Sequence, residues 1–234
     1  MNRIEWSKID RYAKKMKAIN ILGGECKFCG ENNFFKLEFH HLDPNNKEYN
    51  LNEIKSYRWS LIENEIKKCI LVCRNCHAEI HFDDKSSTRS NINKNTFLMY
   101  KNIFSCEKCG YDKHNCSLDF HHNNSDNKDI ELSQVSIIFN SIQDLTDKLE
   151  NEISKCSVLC KNCHRLEHSD VEFFEQHKDI IIEKSNNLKE KQGKIDRNLV
   201  KELYENGMKQ VDIAKYFNAG KGTISDIIKK LELK

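Results

Sequence analysis

Hydrophobic residues recur with two different spacings along this chain of 234 residues. A period of 3.6 residues predicts amphipathic helices over 4–20, 59–69, 142–153 and 171–183. Alternation of apolar and polar residues predicts short strands at LEFHH (37–41) and LDFHH (118–122). Because each element is short and the types are mixed, the pattern indicates a small α+β protein.

One arrangement of residues occurs twice. The segment LVCRNCHAEIH (71–81) returns as VLCKNCHRLEH (158–168), and each copy follows another Cys-x2-Cys pair and a strand that ends in two histidines. Eight of the eleven cysteines lie in these pairs, which is the spacing of metal sites rather than of a disulfide framework. The repeat therefore predicts two units of one design.

Two Cys-x2-Cys pairs supply four thiolates, which form a closed tetrahedral shell for Zn²⁺. We therefore expect two structural zinc ions, one in each unit. The first set is Cys26, Cys29, Cys73 and Cys76, and the second is Cys106, Cys109, Cys160 and Cys163. The remaining Cys69, Cys116 and Cys156 are better explained as reduced core residues.

Eight of the ten histidines also occupy repeated positions that the zinc shells leave free. They are His40, His41, His77 and His81, and then His121, His122, His164 and His168. The last two of each set are four residues apart, so both rings project from one helix face and can reach one ion. A lone histidine is usually an ordinary surface or core residue, but four matched positions in two copies favour a second metal site.

Composition bounds the domain organisation. Hydrophobic residues make up 38% of the chain and charged residues 32%, which favours small metal-stabilised units over one large core. We expect a first unit with its N-terminal helix over 1–82, a linker over 83–96 and a second unit over 97–183. A second linker over 184–194 then leads to a C-terminal domain over 195–234.

The formal net charge of +2 is unevenly distributed. Residues 1–20 carry six basic and two acidic groups, and residues 184–234 carry twelve basic and seven acidic groups. The middle is acidic before any bound cation is counted, so charge alone leaves a nucleic-acid partner and a plain solvated surface equally open. No signal peptide and no apolar run of membrane-spanning length is evident, and we expect an intracellular protein with no membrane partner.

The C-terminal segment has a pattern of its own. Three short helices are predicted at about 196–206, 209–217 and 221–232, and VDIAKYFNAGKGTISDIIKKL (211–231) resembles helix-turn-helix modules of the resolvase and regulator type. The resemblance implies double-stranded DNA as partner, and the alternative is a three-helix packing domain. The candidate DNA contacts are Lys221, Thr223, Ser225 and Lys229.

The joint motif over roughly 22–82 and 102–170 resembles the HNH endonucleases, whose ββα-metal fold holds one divalent ion between a hairpin and a helix. The implied architecture is two tandem zinc-braced ββα-metal modules followed by the three-helix domain. The resemblance assigns the general base to His41 and His122. The implied ligands of a catalytic Mg²⁺ or Mn²⁺, one ion in each unit, are His40, His77, His81, His121, His164 and His168.

Two departures from that family pattern stand out. The asparagine that orients the base is replaced by Lys68 in the first unit and Lys155 in the second, so another group, such as a backbone carbonyl, has to orient the base. After the double histidine the first unit has Asp43-Pro44, where the second has Asn124-Ser125. If one site were inactive, the second would be the candidate.

The sequence thus predicts a site-preferring, divalent-metal-dependent DNA endonuclease of the homing or restriction type. Two sites in one chain favour a monomer that acts as a pseudo-dimer and cuts both strands, over a homodimer. Two alternatives stay open. One is a zinc-stabilised DNA-binding regulator without catalysis, and the other is a nickase with one inactive unit.

Overall fold

The computed structural model describes residues 2–82, 89–124, 126, 128–132, 135, 141–188, 195–217 and 219–231. Within these residues the strands are β1 (Leu37–His41), β2 (Cys69–Cys73), β3 (Leu118–His122) and β4 (Cys156–Cys160). The α-helices are α1 (Arg3–Ile21), α2 (Trp59–Ile66), α3 (Arg74–Ile80), α4 (Arg89–Lys101), α5 (Asp147–Ser154), α6 (Lys161–Glu167), α7 (Val171–Gln176), α8 (Lys178–Asn187), α9 (Arg197–Glu205), α10 (Gln210–Tyr216) and α11 (Lys221–Lys230). The small α+β class predicted from the sequence is confirmed.

Each unit is built on an antiparallel pair of strands followed directly by a helix. In the first unit β1 pairs with β2, with Leu37 opposite Cys73 and His41 opposite Cys69, and α3 begins at the next residue. In the second unit β3 pairs with β4 in the same register, with Leu118 opposite Cys160. Leu37 and Leu118 are fully buried at the start of their strands, and the four residues that follow each of them are partly buried.

In each unit a helix precedes the first Cys-x2-Cys pair, which we call the knuckle, and these two helices have different sequence patterns. Helix α1 has the predicted amphipathic pattern, and Asn2 and Glu5 close its first turn as a capping box. Helix α4 lies largely within the segment interpreted as a linker, and 83–88 of that segment lie outside the described residues. Its buried face combines polar Asn93 with apolar Leu98. Such a mixed face carries no hydrophobic period, so the pattern could not reveal the helix.

The two units contact each other through the starts of α3 and α6. The backbone N–H of Asn75 donates to Oδ1 of Asn162 at 3.3 Å, and the N–H of Asn162 donates to Oδ1 of Asn75 at 3.0 Å. Both asparagines are buried, and Ser117 Oγ donates to the Asn75 carbonyl at 3.0 Å. This reciprocal pairing is the contact expected of a local two-fold relation between the repeats.

A second connection between the units is apolar. The predicted helix over 171–183 is two helices, α7 and α8, separated at His177. They bring Phe174 and Ile181 against Ile9 and Tyr12 of α1, and all four side chains are buried. The end of the second unit therefore packs on the beginning of the first.

The C-terminal segment forms the three helices that its pattern predicted. Ile213 and Ala214 of α10 pack against Ile224 of α11, and Val200 of α9 completes the buried cluster. The pair on one helix and the isoleucine on the next were the contact expected from the sequence. None of the helices within the described ranges is long and apolar enough to cross a membrane.

Candidate metal centres

The structure brings the eight paired cysteines into two four-thiol clusters. In each cluster the sulfur atoms lie within 4.8 Å of one another. The Cys29 and Cys73 sulfurs are 3.6 Å apart and the Cys109 and Cys160 sulfurs are 3.7 Å apart. Tetrahedral zinc with bonds of about 2.3 Å needs sulfurs about 3.8 Å apart, whereas a disulfide needs about 2.05 Å. Both clusters fit a structural zinc ion, as the sequence predicted.

Local backbone geometry explains how each knuckle presents its thiols. The N–H of Gly30 donates to the Cys26 carbonyl at 3.0 Å, and Gly30 has φ +73°, a conformation that favours glycine. Gly110 repeats this turn in the second unit with φ +74°. Opposite the turn, Cys73 and Cys160 cap helices α3 and α6, where each sulfur accepts an N–H from the helix.

The thiols differ in how readily they ionise. Burial opposes ionisation of Cys106, but N–H groups of Cys160, Cys109 and Lys108 donate to its sulfur and lower its pKa to about 7. Burial and the neighbouring Cys73 raise the pKa of Cys76. Four thiolates so close together repel each other, so a bound cation is what allows all of them to ionise.

The remaining three cysteines lie outside these clusters. Cys69 and Cys156 are buried at the first residues of β2 and β4, and each thiol donates to a carbonyl of the preceding helix, of Glu65 and Glu152 respectively, at 3.4 Å. Cys116 is half-buried beside Ser117. The packing role expected for Cys69 and Cys156 agrees with these contacts.

Beside each thiol cluster the structure assembles a triad of imidazoles. His40 from β1 meets His77 and His81 from the α3 region, and one ring nitrogen of each lies within 4.8 Å of the others. Ring centroids are 5.2 Å apart for His40 and His77 and 4.9 Å apart for His40 and His81. The second unit assembles the equivalent triad. Its members are His121, His164 and His168.

The environment of the strand histidine in each triad favours its neutral form. Burial lowers the pKa of His40, and the nearby His77 and His81 lower it further. Burial and His164 lower the pKa of His121 in the same way. A neutral imidazole offers the lone pair that a metal ion requires, so each triad can supply three nitrogen ligands.

The second histidine of each pair points away from its triad and contacts a buried carboxylate. His41 Nε2 lies 2.7 Å from Oε1 of Glu65, which is 1% exposed. His122 Nε2 lies 2.8 Å from Oε1 of Glu152, which is fully buried. Neighbouring strand residues face opposite sides, which is how the double histidine separates a ligand from a candidate base.

Hydrogen bonds hold these buried carboxylates in the ionised form. Burial favours the neutral acid of Glu65, but donors from Lys68 and the N–H groups of Glu48 and Tyr49 lower its pKa to about 2. The same set of contacts, including Lys155, lowers the pKa of Glu152 to about 2. Lys68 and Lys155, the lysines at the two repeat-equivalent positions, thus act on the carboxylates, to which each donates at 3.1 Å. The partner of His41 is that carboxylate, rather than the backbone carbonyl suggested from the sequence.

Two further carboxylates support the helix histidines. Glu38 of β1 lies 2.7 Å from Nδ1 of His77 and also pairs with Arg74. Asp119 of β3 lies 3.3 Å from Nδ1 of His164 and is shared with lysines of α4 and α6. A carboxylate on the distal nitrogen orients a ligating imidazole and raises its basicity.

The four carboxylates were not identified from the sequence. Glu65 and Glu152 were visible only as acidic residues on the apolar face of a helix, in both copies. Glu38 and Asp119 were visible as acidic residues within the alternating strand motif. Each was an available signal, because a charge on a buried face requires a partner.

The two units differ in the residues that follow the double histidine, but their histidine triads have similar geometry. Asp43 accepts the N–H of Asn45 and caps a 3₁₀ turn over Pro44–Asn46, and Asn124 accepts the N–H of Asp126. Ser125 lies outside the described residues. Ring distances in the second triad are 5.1–5.2 Å, close to those in the first. This geometry gives no indication that the second unit is degenerate.

Both units border one cleft of about 590 Å³. His40, His41, His77 and His81 of the first unit line it, and so does His168 of the second. A polymer lying in this cleft would contact ligands from both triads. The cleft therefore combines the complete histidine set of the first unit with one ligand of the second triad.

The candidate DNA contacts lie on α11. Lys221, Thr223 and Lys229 are exposed, and Ser225 is half-buried. The accessible side chains are thus on the helix that the predicted module would present to DNA.

Comparison of the chain with models of known families, with curated proteins and with solved structures gave no match. The structure itself shows a small α+β protein with two four-cysteine clusters of the zinc-knuckle kind.

Proposed function

We propose that this protein is a divalent-metal-dependent endonuclease that hydrolyses phosphodiester bonds in double-stranded DNA, with an HNH-like site in each unit. The observation that carries the proposal is the duplicated grouping of a histidine triad with a separate histidine–carboxylate pair. Zinc in the thiol clusters would brace the hairpin and helix that hold these groups. Mg²⁺ or Mn²⁺ in the triads would polarise the phosphate and stabilise the charge that develops on it.

The residues of the first unit can be given roles from their contacts. Glu65 is ionised and engages Nε2 of His41, so that nitrogen carries the proton and Nδ1 is free to accept one. A base held in this tautomer can remove a proton from attacking water, and the carboxylate then stabilises the charged ring. His122 and Glu152 have the same relation in the second unit.

Two histidine triads of matching composition in one chain, one of which contributes His168 to the cleft beside the other, support cleavage of both strands by one chain. We therefore propose a monomer that acts as a pseudo-dimer. The C-terminal helices would supply site preference through Lys221, Thr223, Ser225 and Lys229, which offer donors to phosphates and base edges.

Digestion of a supercoiled plasmid with Mg²⁺ or Mn²⁺ tests the proposal. We expect linear product from the natural chain, and nicked circles when His41→Ala and His122→Ala are made singly. Loss of a general base slows cleavage of its strand by about 10²–10⁴-fold. The double variant should leave the plasmid intact.

The other outcomes are equally informative. Nicked circles alone from the natural chain would indicate a nickase, and binding without cleavage would indicate a zinc-stabilised DNA-binding regulator. If neither single change alters the product, the assignment of two sites is wrong.

A further inference from the structure

The cleft between the units contains a group of basic side chains that the histidine chemistry does not use. Arg11 and Lys15 are one turn apart on α1, Arg74 begins α3 and Arg165 lies on α6, and all four line the cleft. We call them the inter-unit basic cluster. Three elements from both units therefore direct positive charge at one place.

These cations are poorly balanced by the chain's own acids. Arg74 pairs with Glu38, but no ion pair of Arg11, Lys15 or Arg165 is found among the described residues. Arg11 and Lys15 instead rest on aromatic rings, of Tyr12 at 5.0 Å and Phe34 at 4.8 Å. In both contacts the charged group itself lies over the ring, so its partner is an aromatic face and not a carboxylate.

The positive charges are close enough to oppose each other. Burial lowers the pKa of Lys15 to about 7, and Arg165, Arg74 and Arg11 contribute to the lowering while Glu38 opposes it. Holding like charges together in a partly buried cleft costs free energy unless an anion joins them. The unbound chain therefore carries a destabilising feature that an anionic ligand would relieve.

The basic cluster occurs once, although the metal framework occurs twice. When the first Cys-x2-Cys pairs of the two units are aligned, Asn91 and Asn95 of α4 stand at the positions of Arg11 and Lys15. When the second pairs are aligned, Ala78 of α3 stands at the position of Arg165. Three of the four members are thus confined to the junction, and only the position of Arg74 keeps a basic residue in the other copy, Lys161. A ligand that runs from one triad to the other would require positive charge at this junction.

We propose that the inter-unit basic cluster binds a backbone phosphate of a DNA strand that passes between the two histidine triads. The inference rests on the proposed function, since the same cleft holds the proposed catalytic groups of the first unit and His168 of the second. Arginine forks fit phosphate oxygens bidentately, and a lysine adds a point charge. The phosphate would satisfy the charges that the described residues leave unpaired, and it would fix the strand in register with both sites.

A binding measurement without cleavage tests the cluster separately. The zinc-loaded His41→Ala/His122→Ala protein is titrated against a fluorescein-labelled DNA duplex of about 30 base pairs, at several salt concentrations and without Mg²⁺. On this background Arg11→Gln/Arg165→Gln should weaken binding by at least about tenfold and reduce the log–log salt slope by about 1–2. The matched control, Lys113→Gln/Lys148→Gln, removes the same charge from exposed positions outside the cleft and should change neither quantity.

Thermal unfolding distinguishes a specific loss of DNA binding from a loss of folding. Because the substitutions remove repulsion, the cluster variant should unfold at the same temperature as its parent or higher, whereas a structural role would lower that temperature. A variant that binds as its parent does, a control that loses as much affinity, or a cluster variant with a lower unfolding temperature would each overturn the proposal.

The two proposals can fail independently. If the natural chain binds DNA through the cluster but never cuts it, the nuclease proposal is refuted and the phosphate site is retained. If the Arg11→Gln/Arg165→Gln variant cuts and binds DNA as its parent does, the phosphate site is refuted and the nuclease proposal is retained.

Discussion

The first and second units carry the same seven candidate ligand side chains, four cysteines and three histidines, in the same relation to a hairpin and a helix. They differ in the helix that precedes each knuckle. Helix α1 presents Arg11 and Lys15 to the cleft, and the corresponding positions of α4 are asparagines.

Metal coordination and helix packing constrain the residues of the two units differently. Metal coordination accepts few side chains and narrow distances, so both copies of the framework show the same residues. The surrounding helices need only pack, and their outward faces can differ between copies. The shared features of the units are therefore the candidate metal ligands, and the unshared features include the helix face that lines the cleft.

Loss of a thiol ligand should have the largest effect and should act on one unit at a time. Cys26→Ser and Cys106→Ser each remove one sulfur from a closed shell, and structural zinc contributes an apparent free energy of about 10–16 kcal/mol to folding in small domains. We expect zinc per chain to fall from two to one in either variant, measured by elemental analysis, with strongly reduced thermal stability. Two retained zinc ions in either variant would contradict the two-cluster assignment.

Removing the charge that orients the base should be the next largest effect. Glu65→Gln keeps the shape but removes the carboxylate that engages His41, and Glu152→Gln does the same to His122. We expect each to slow cleavage of one strand by about 10²–10⁴-fold, as loss of the base itself does, so that nicked circles accumulate. Equal loss of cutting on both strands would indicate a general structural effect instead.

The carboxylates behind the helix histidines should give the smallest effect and should distinguish the units. Glu38 lies 2.7 Å from His77, whereas Asp119 lies 3.3 Å from His164 and is shared with two lysines. Loss of such a carboxylate weakens metal binding about 10–100-fold. We expect Glu38→Gln to weaken Mn²⁺ binding to its own unit more than Asp119→Asn does, measured by calorimetry. The reverse order would show that the shorter contact is not the stronger support.

Spacing alone predicted which cysteines come together, because metal ligands must reach a common point whatever the rest of the chain does. The choice of three histidines out of four in each unit came from the resemblance to the HNH pattern, and the triads have those members. The helices of the C-terminal segment followed from their apolar period. Helix α4 was missed since its buried face includes Asn93, and the separation of α7 from α8 has no signal in the pattern. The roles of Glu65 and Glu152 could not be assigned either, because they depend on which histidine each helix approaches in three dimensions.

The central claim is that the histidine triads bind exchangeable divalent ions apart from the structural zinc. Titration of the zinc-loaded chain with Mn²⁺, followed by electron paramagnetic resonance, measures this directly. We expect two Mn²⁺ per chain, one in His40→Ala or His121→Ala, and none when both are changed, with the zinc content constant at two. Four tightly held zinc ions per chain, or Mn²⁺ binding that ignores these substitutions, would contradict the account.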